Sequence, residues 1–157
     1  MLSVHFATNL WRSNMAVNSR AKGAGFEAKV VKILELATGK KWARTPGSGG
    51  VATRTGNTKL AGDIMRRGKP SPYVVECKKY KVVNMEELIT GKGNFPKWLA
   101  QLEKEKGKRK GILIFARNYG KLMCMVETDR TIPNTIKWND YTIGLLTEVL
   151  KEIVDDL

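Results

Sequence analysis

Hydrophobic residues recur along the chain at spacings that separate helices from strands. Over 25–38 they fall at i, i+4, i+7, i+8 and i+11, and Gly39 follows, so this spacing predicts an amphipathic helix. The apolar and aromatic run over 72–80 follows a turn rich in glycine and proline, which predicts a strand. Helical spacing returns over about 142–157 and predicts an amphipathic C-terminal helix.

The remaining elements are delimited by turn residues and by helix-capping residues. Asn84 and Glu87 stand three residues apart, as the two members of a capping box do at the start of a helix. The other predicted elements are strands at 41–45, 63–67, 111–117 and 121–126 and helices starting at Asn84 and Asn94. This order predicts a single α/β domain with a central mixed β-sheet flanked by helices.

The first residues of the chain lack both hydrophobic spacings. We interpret residues 1–18 as an N-terminal arm that need not be ordered, and residues 19–157 as the folded domain. The longest apolar runs fall far short of the roughly 18 residues that a membrane span requires. The N-terminus has neither the basic start nor the cleavage site of a signal peptide, so we expect a cytoplasmic protein with no membrane partner.

Charge is distributed unevenly along the sequence. Residues 1–126 carry 25 Lys or Arg and 8 Asp or Glu, a net charge of +17, whereas residues 127–157 carry 3 and 7, a net charge of −4. An excess of this size favours a polyanionic partner, most simply nucleic acid, because neutralising phosphates releases counterions.

The scarcity of histidine and cysteine excludes several kinds of site. His5 is the single histidine, which argues against histidine-based zinc sites and a Ser-His-Asp triad. Cys77 and Cys124 lack metal-type spacing. An enzyme with this composition would therefore work with carboxylates, lysines, hydroxyls and a metal.

One group of residues has the composition of a hydrolytic site. Alternation along the strand at 72–80 places Glu76 and Lys78 on the same face. A hairpin with the preceding strand would bring Asp63 beside Glu76. Two carboxylates with an adjacent ammonium suit metal-assisted phosphodiester hydrolysis, because Mg²⁺ prefers oxygen ligands. Glu27 borders the apolar stripe of the first helix, from which a carboxylate can reach an interior cleft.

These residues resemble a known family. Glu27, Gly-Asp63-Ile64 and Val-Val-Glu76-Cys-Lys78 look like the PD-(D/E)-x-K nuclease superfamily, whose restriction-endonuclease-like core is a mixed sheet flanked by helices. The segments 19–23 and 44–50 are similar to those of archaeal-type Holliday-junction resolvases, which are archaeal or phage-encoded. The chain departs from the pattern in having Gly62 at the proline position and a longer loop over 47–62.

The resemblance implies roles for individual residues. Asp63 and Glu76 would bind Mg²⁺, for which Mn²⁺ would substitute, and Glu27 would complete the acidic cluster directly or through water. Lys78 would orient the attacking water or stabilise the phosphorane charge, and Ser48 would lie near the scissile phosphate. The basic residues next to these motifs would contact DNA phosphates: Arg20, Lys22, Arg44, Arg54, Lys59, Lys79 and Lys81.

The implied activity is resolution of four-way DNA junctions by paired symmetric nicks, as in DNA recombination and repair. A homodimer would be needed, because two nicks require two active sites. Two alternatives remain open at this point. One is a nuclease of restriction or repair type that acts on duplex DNA, and the other is a basic nucleic-acid-binding module without catalysis.

Overall fold

The computed structural model describes residues 4–47 and 60–157, with side chains described from residue 20 onward. Its helices are α1 (Val4–Thr38), α2 (Glu86–Thr90), α3 (Asn94–Lys106) and α4 (Leu146–Ile153), and a 3-10 turn covers Val154–Asp156. Its strands are β1 (Trp42–Arg44), β2 (Ile64–Arg66), β3 (Tyr73–Tyr80), β4 (Lys110–Arg117), β5 (Met123–Glu127), β6 (Ile136–Trp138) and β7 (Tyr141–Leu145). Over these ranges, no helix is long and apolar enough to cross a membrane.

The strands form one mixed sheet in the order β1-β2-β3-β4-β5-β7-β6. β3 and β4 run parallel, with Tyr73 opposite Lys110 and Tyr80 opposite Arg117. The other neighbouring strands are antiparallel. A parallel pair needs a crossover connection, which α2 and α3 provide here. The predicted α/β domain with a central mixed sheet is therefore confirmed.

Helices cover both faces of the sheet. Phe26, Val30 and Leu34 of α1 pack with α4 on one face, and Phe95 and Leu102 of α3 pack on the other. β4 lies between the two layers, which explains why residues 111–116 are buried without a polar position. A strand covered on both faces reads as a continuous apolar run.

Helix α1 is longer than the hydrophobic spacing predicted. It begins at Val4 instead of Gly25 and extends over 35 residues. The added segment contains no proline, and extending an existing helix costs much less than nucleating one. The expected boundary between an arm at 1–18 and a domain at 19–157 thus falls inside this helix.

The predicted C-terminal helix at about 142–157 is wrong at its start. Residues 142–145 belong to β7, and α4 begins at Leu146. β7 pairs with β5 on one side and with β6 on the other. Residues 142–145 also fit the helical spacing, but the hydrogen bonds to β5 and β6 stabilise a strand there instead. β6 has little signal of its own, because Ile136 and Lys137 are exposed.

The predicted capping box is also wrong. The Asn84 side chain accepts a hydrogen bond from the Glu86 N–H at 3.0 Å, as expected for a residue that starts a helix. Glu87 does not reach back to Asn84. Its carboxylate accepts the backbone N–H groups of Asn94 at 2.7 Å and Phe95 at 2.9 Å. Glu87 therefore connects α2 to the start of α3.

Candidate active site

The hairpin of β2 and β3 fixes the position of Asp63. Ile64 lies opposite Val75, so Asp63 lies next to Glu76. The Asp63 N–H donates to the Val75 carbonyl at 2.8 Å, and the Asp63 carboxylate accepts the Cys77 N–H at 2.8 Å. The carboxylate is thus held by the backbone of β3 and is almost fully buried.

Gly62 permits this approach of the two strands. Its φ is +78°, and a β-carbon at this position would lie 2.6 Å from the Val75 carbonyl oxygen. A residue with a side chain would be strained by this φ and would also collide with β3. The glycine that stands at the superfamily's proline position therefore has a structural reason in this chain.

Glu76 and Lys78 lie on the same face of β3, as the alternation predicted. The Lys78 Nζ donates to Glu76 Oε1 at 2.6 Å. The Glu76 side chain is 1% exposed and that of Lys78 is 18% exposed. The ion pair is consequently shielded from solvent at its carboxylate end.

Burial shifts the pKa values of the ionisable groups in this site. Burial and the nearby charge of Asp63 raise the pKa of Glu76 to about 8. Burial also raises the pKa of Asp63, against the opposing effects of the Cys77 N–H and the Lys78 charge. For Lys78, burial lowers the pKa, but the charge and hydrogen bond of Glu76 outweigh it and leave the pKa raised.

We call Asp63 and Glu76 the carboxylate pair, since they lie next to each other on neighbouring strands and the charge of Asp63 raises the pKa of Glu76. Two buried carboxyl groups facing one lysine leave an excess of negative charge once both are ionised. Mg²⁺ is commonly held by one or two carboxylates together with water and substrate phosphate oxygens. The carboxylate oxygens of this pair are therefore suitable ligands for a divalent cation such as Mg²⁺.

Glu27 lies at the edge of this site. Its carboxylate accepts a hydrogen bond from the Arg44 guanidinium at 2.6 Å, and its charge contributes to the raised pKa of Asp63. Among the described residues, no group of three or more His, Cys, Asp or Glu side chains is arranged to hold a metal ion. The structure thus brings together Asp63, Glu76 and Lys78, while Glu27 is paired with Arg44.

Two residues of α3 complete the polar network, and neither is assigned a catalytic or binding role by the sequence. The Gln101 amide donates to Glu76 Oε1 at 2.9 Å and accepts from Lys78 Nζ at 3.1 Å. The Glu105 carboxylate accepts from the Gln101 amide at 3.2 Å and from the Gly62 N–H at 3.1 Å. Their spacing of i, i+4 on one helix face is the sequence signal that could have indicated them.

The residues predicted to contact DNA lie in different parts of the structure. Arg20 and Arg44 line a groove of about 900 Å³ beside α1, together with Glu27 and Thr45. We call it the Glu27 groove. Lys22 and Lys79 line a second groove, and Lys81 is exposed just after β3. Three predicted residues lie outside the described residues: Ser48, Arg54 and Lys59.

Comparisons with known proteins identify the family to which the chain belongs. A family model described as "Phage putative PDDEXK endonuclease" matches residues 18–154. The chain is similar to Protein D14 of Escherichia phage T5, with 36% identity over 128 residues that cover 76% of this chain and 78% of that protein. No solved structure matches the chain significantly. The carboxylate pair and Lys78 lie within the matched region, and the chain belongs to the family of phage PDDEXK endonucleases.

Proposed function

We propose that this protein is a divalent-metal-dependent endonuclease that cuts branched DNA, with the four-way junction as its substrate. The observation that supports hydrolytic activity is that Lys78 lies beside the carboxylate pair. A purely structural role would not require two carboxyl groups to be buried together at an energetic cost.

The residues of the site have different roles in the proposed reaction. A divalent cation held by Asp63 and Glu76 would supply Lewis-acid stabilisation of the phosphate charge and a more acidic bound water. Lys78 places a positive charge beside the same carboxylates, where it can orient the attacking water or stabilise the developing charge. Gln101 holds Lys78 and Glu76 at once and so fixes their relative orientation.

DNA is supported as the substrate by the charge of the chain as well as by its family. The excess of +17 lies in residues 1–126, which contain the whole carboxylate site. Arg20, Lys22, Lys79 and Lys81 are exposed and available for phosphate contacts. The specific choice of a four-way junction is supported by the similarity of segments 19–23 and 44–50 to junction resolvases. Symmetric cutting of such a junction would require a homodimer.

The test is cleavage of a labelled synthetic four-way junction with Mg²⁺ or Mn²⁺ and with EDTA. We expect paired nicks near the branch point that depend on the metal and leave 5′-phosphates. Asp63→Asn and Glu76→Gln should abolish cutting while junction binding is retained. Asp155→Asn and Glu152→Gln are matched controls, because both residues are exposed in the C-terminal segment.

Other outcomes would contradict specific parts of the proposal. Undiminished cutting by Asp63→Asn and Glu76→Gln would exclude the carboxylate pair as the active site. Efficient cutting of linear duplex with junctions ignored would indicate a nuclease of restriction or repair type. Binding without cutting in either metal would indicate a nucleic-acid-binding module without catalysis.

A further inference from the structure

A second groove lies on the side of α1 opposite the Glu27 groove. It measures about 430 Å³ and is bordered by residues of α1, β3, β4 and the turn that follows β4. We call it the basic groove, because its polar rim consists of Lys22, Lys29, Lys79 and Arg117, with Tyr119 beside them. Lys29, Arg117 and Tyr119 have no role in the site described above.

The positive charge of the basic groove is not neutralised by neighbouring carboxylates. None of its four cations forms an ion pair with any residue that the structure describes. Residues 1–19 and 48–59 contain no Asp or Glu, so these segments hold no side-chain carboxylate that could neutralise it. All four cations are exposed. Such a concentration of uncompensated charge attracts a polyanion.

Tyr119 is unusual in both its conformation and its exposure. Its φ is +60°, a left-handed value that a bulky side chain rarely adopts. Its side chain is fully exposed. Strain of this kind persists where the surroundings enforce it and is concentrated at functional sites. On its other side, Tyr119 borders a mainly apolar pocket of about 530 Å³ that includes Val83, Met85 and Met123.

We propose that the basic groove binds one DNA strand next to the branch point, with a base that the branch point leaves without a stacking partner stacked on Tyr119. This inference rests on the proposed function, since the strand belongs to the same DNA. Cations that follow the backbone beside an aromatic side chain are the usual means of holding a single strand. A paired duplex would not offer the face of a base to Tyr119, because its bases are already stacked on one another.

The basic groove and the candidate active site share strand β3. Lys79 borders the basic groove and directly follows Lys78, so the basic groove begins one residue beyond the candidate active site, on the other face of β3.

The experiment measures binding of fluorescein-labelled oligonucleotides by anisotropy in EDTA, where no cutting occurs. The probes are a blunt duplex, the same duplex with a single-stranded arm, and a four-way junction. Tyr119→Ala and Lys29→Glu should weaken binding of the armed duplex about fivefold or more and that of the blunt duplex less than about twofold. Lys69→Glu is the matched control, since Lys69 is exposed at the opposite end of β3 and should leave all probes unaffected.

A second variant separates binding from stability. Tyr119→Gly removes the ring and relieves the left-handed strain, so it should raise the melting temperature while weakening binding of the armed duplex by a similar factor. Tyr119→Phe should bind as the unmodified protein does. The proposal is overturned if Tyr119→Ala and Lys29→Glu bind every probe normally, or if they weaken the blunt and armed duplexes equally.

The proposal and the nuclease assignment can fail separately. If the unmodified protein cuts no DNA with either metal but the basic-groove variants still discriminate between probes, the assignment fails and the strand site stands. If the protein cuts junctions but these variants do not discriminate, the strand site is excluded and the nuclease assignment stands.

Discussion

At the residue scale, the buried carboxyl of Glu76 makes the stability of the fold depend on pH. Its side chain is 1% exposed, and burial together with Asp63 raises its pKa to about 8. The folded protein therefore binds a proton at Glu76 more tightly than the unfolded chain does. In the absence of metal, the stability that this group contributes is greatest at low pH and is lost as the pH rises through about 8.

This linkage can be measured as a difference between two proteins. Between pH 5 and 8 in EDTA, the free energy of unfolding should fall by about 1–3 kcal/mol more in the unmodified protein than in Glu76→Gln. Chemical denaturation at each pH provides the values. Glu152→Gln should behave as the unmodified protein does, and Mg²⁺ should flatten the decline if it binds the carboxylate pair. Parallel curves for the unmodified protein and Glu76→Gln would contradict the assigned shift.

Gly62 allows a second test at this scale. Gly62→Ala should destabilise the fold by about 1–3 kcal/mol and reduce cutting, because both the φ of +78° and the contact with Val75 oppose a methyl group. Gly68→Ala is a matched control, since its φ is +82° but nothing lies within 4 Å of an added β-carbon. Thermal melts of both variants isolate the collision with β3. Equal losses of melting temperature in the two variants would show that the positive φ alone causes the destabilisation.

At the scale of elements, α3 links both strands that hold the carboxylate pair. Gln101 contacts Glu76 and Lys78 of β3, and Glu105 accepts the N–H of Gly62 just before β2. Phe95 and Leu102 anchor the same helix in the core. The packing of α3 therefore fixes the orientation of Glu76 and Lys78 on β3.

Removing the Gln101 amide should disturb catalysis more than DNA binding. Gln101→Ala leaves Lys78 with Glu76 as its remaining described partner, so we expect cutting to slow about tenfold with little change in junction affinity. Single-turnover cutting and anisotropy in EDTA measure the two quantities. Lys104→Ala, on the exposed side of α3, is the control. An equal loss of affinity and rate would indicate that Gln101 acts on DNA binding instead.

At the scale of the whole molecule, charge is separated along the chain. The last 31 residues are acidic, and Asp156 pairs with Arg130 at 2.9 Å. Leu150 and Ile153 of α4 pack against the sheet face that α1 covers. This arrangement makes the acidic C-terminal segment part of the fold.

The proposed homodimer gives a prediction at this scale. Sedimentation should report about twice the chain mass of 17.6 kDa, or reach that value upon addition of junction DNA. A dimer mixed from unmodified and Asp63→Asn chains should nick one strand of each junction. A 17.6 kDa species that makes both nicks of one junction without associating would contradict the dimer.

Local features of the sequence determined much of the carboxylate site. The pleat of a strand places alternate residues on one face, so the order Glu76-Cys77-Lys78 was sufficient to align the carboxylate with the ammonium. The turn at Gly68 and Lys69 was sufficient to indicate a hairpin that brings Asp63 close. Both depend on the backbone geometry of neighbouring residues, which the sequence encodes directly.

Only the tertiary structure decided the contacts between distant segments. Gln101 and Glu105 reach the site because α3 packs across β3. Glu27 forms an ion pair with Arg44. Residues 142–145 become a strand because β5 and β6 lie beside them. Each outcome depends on which packing buries the most apolar surface across the whole sheet. That comparison of free energies involves the entire chain and cannot be read from any one segment.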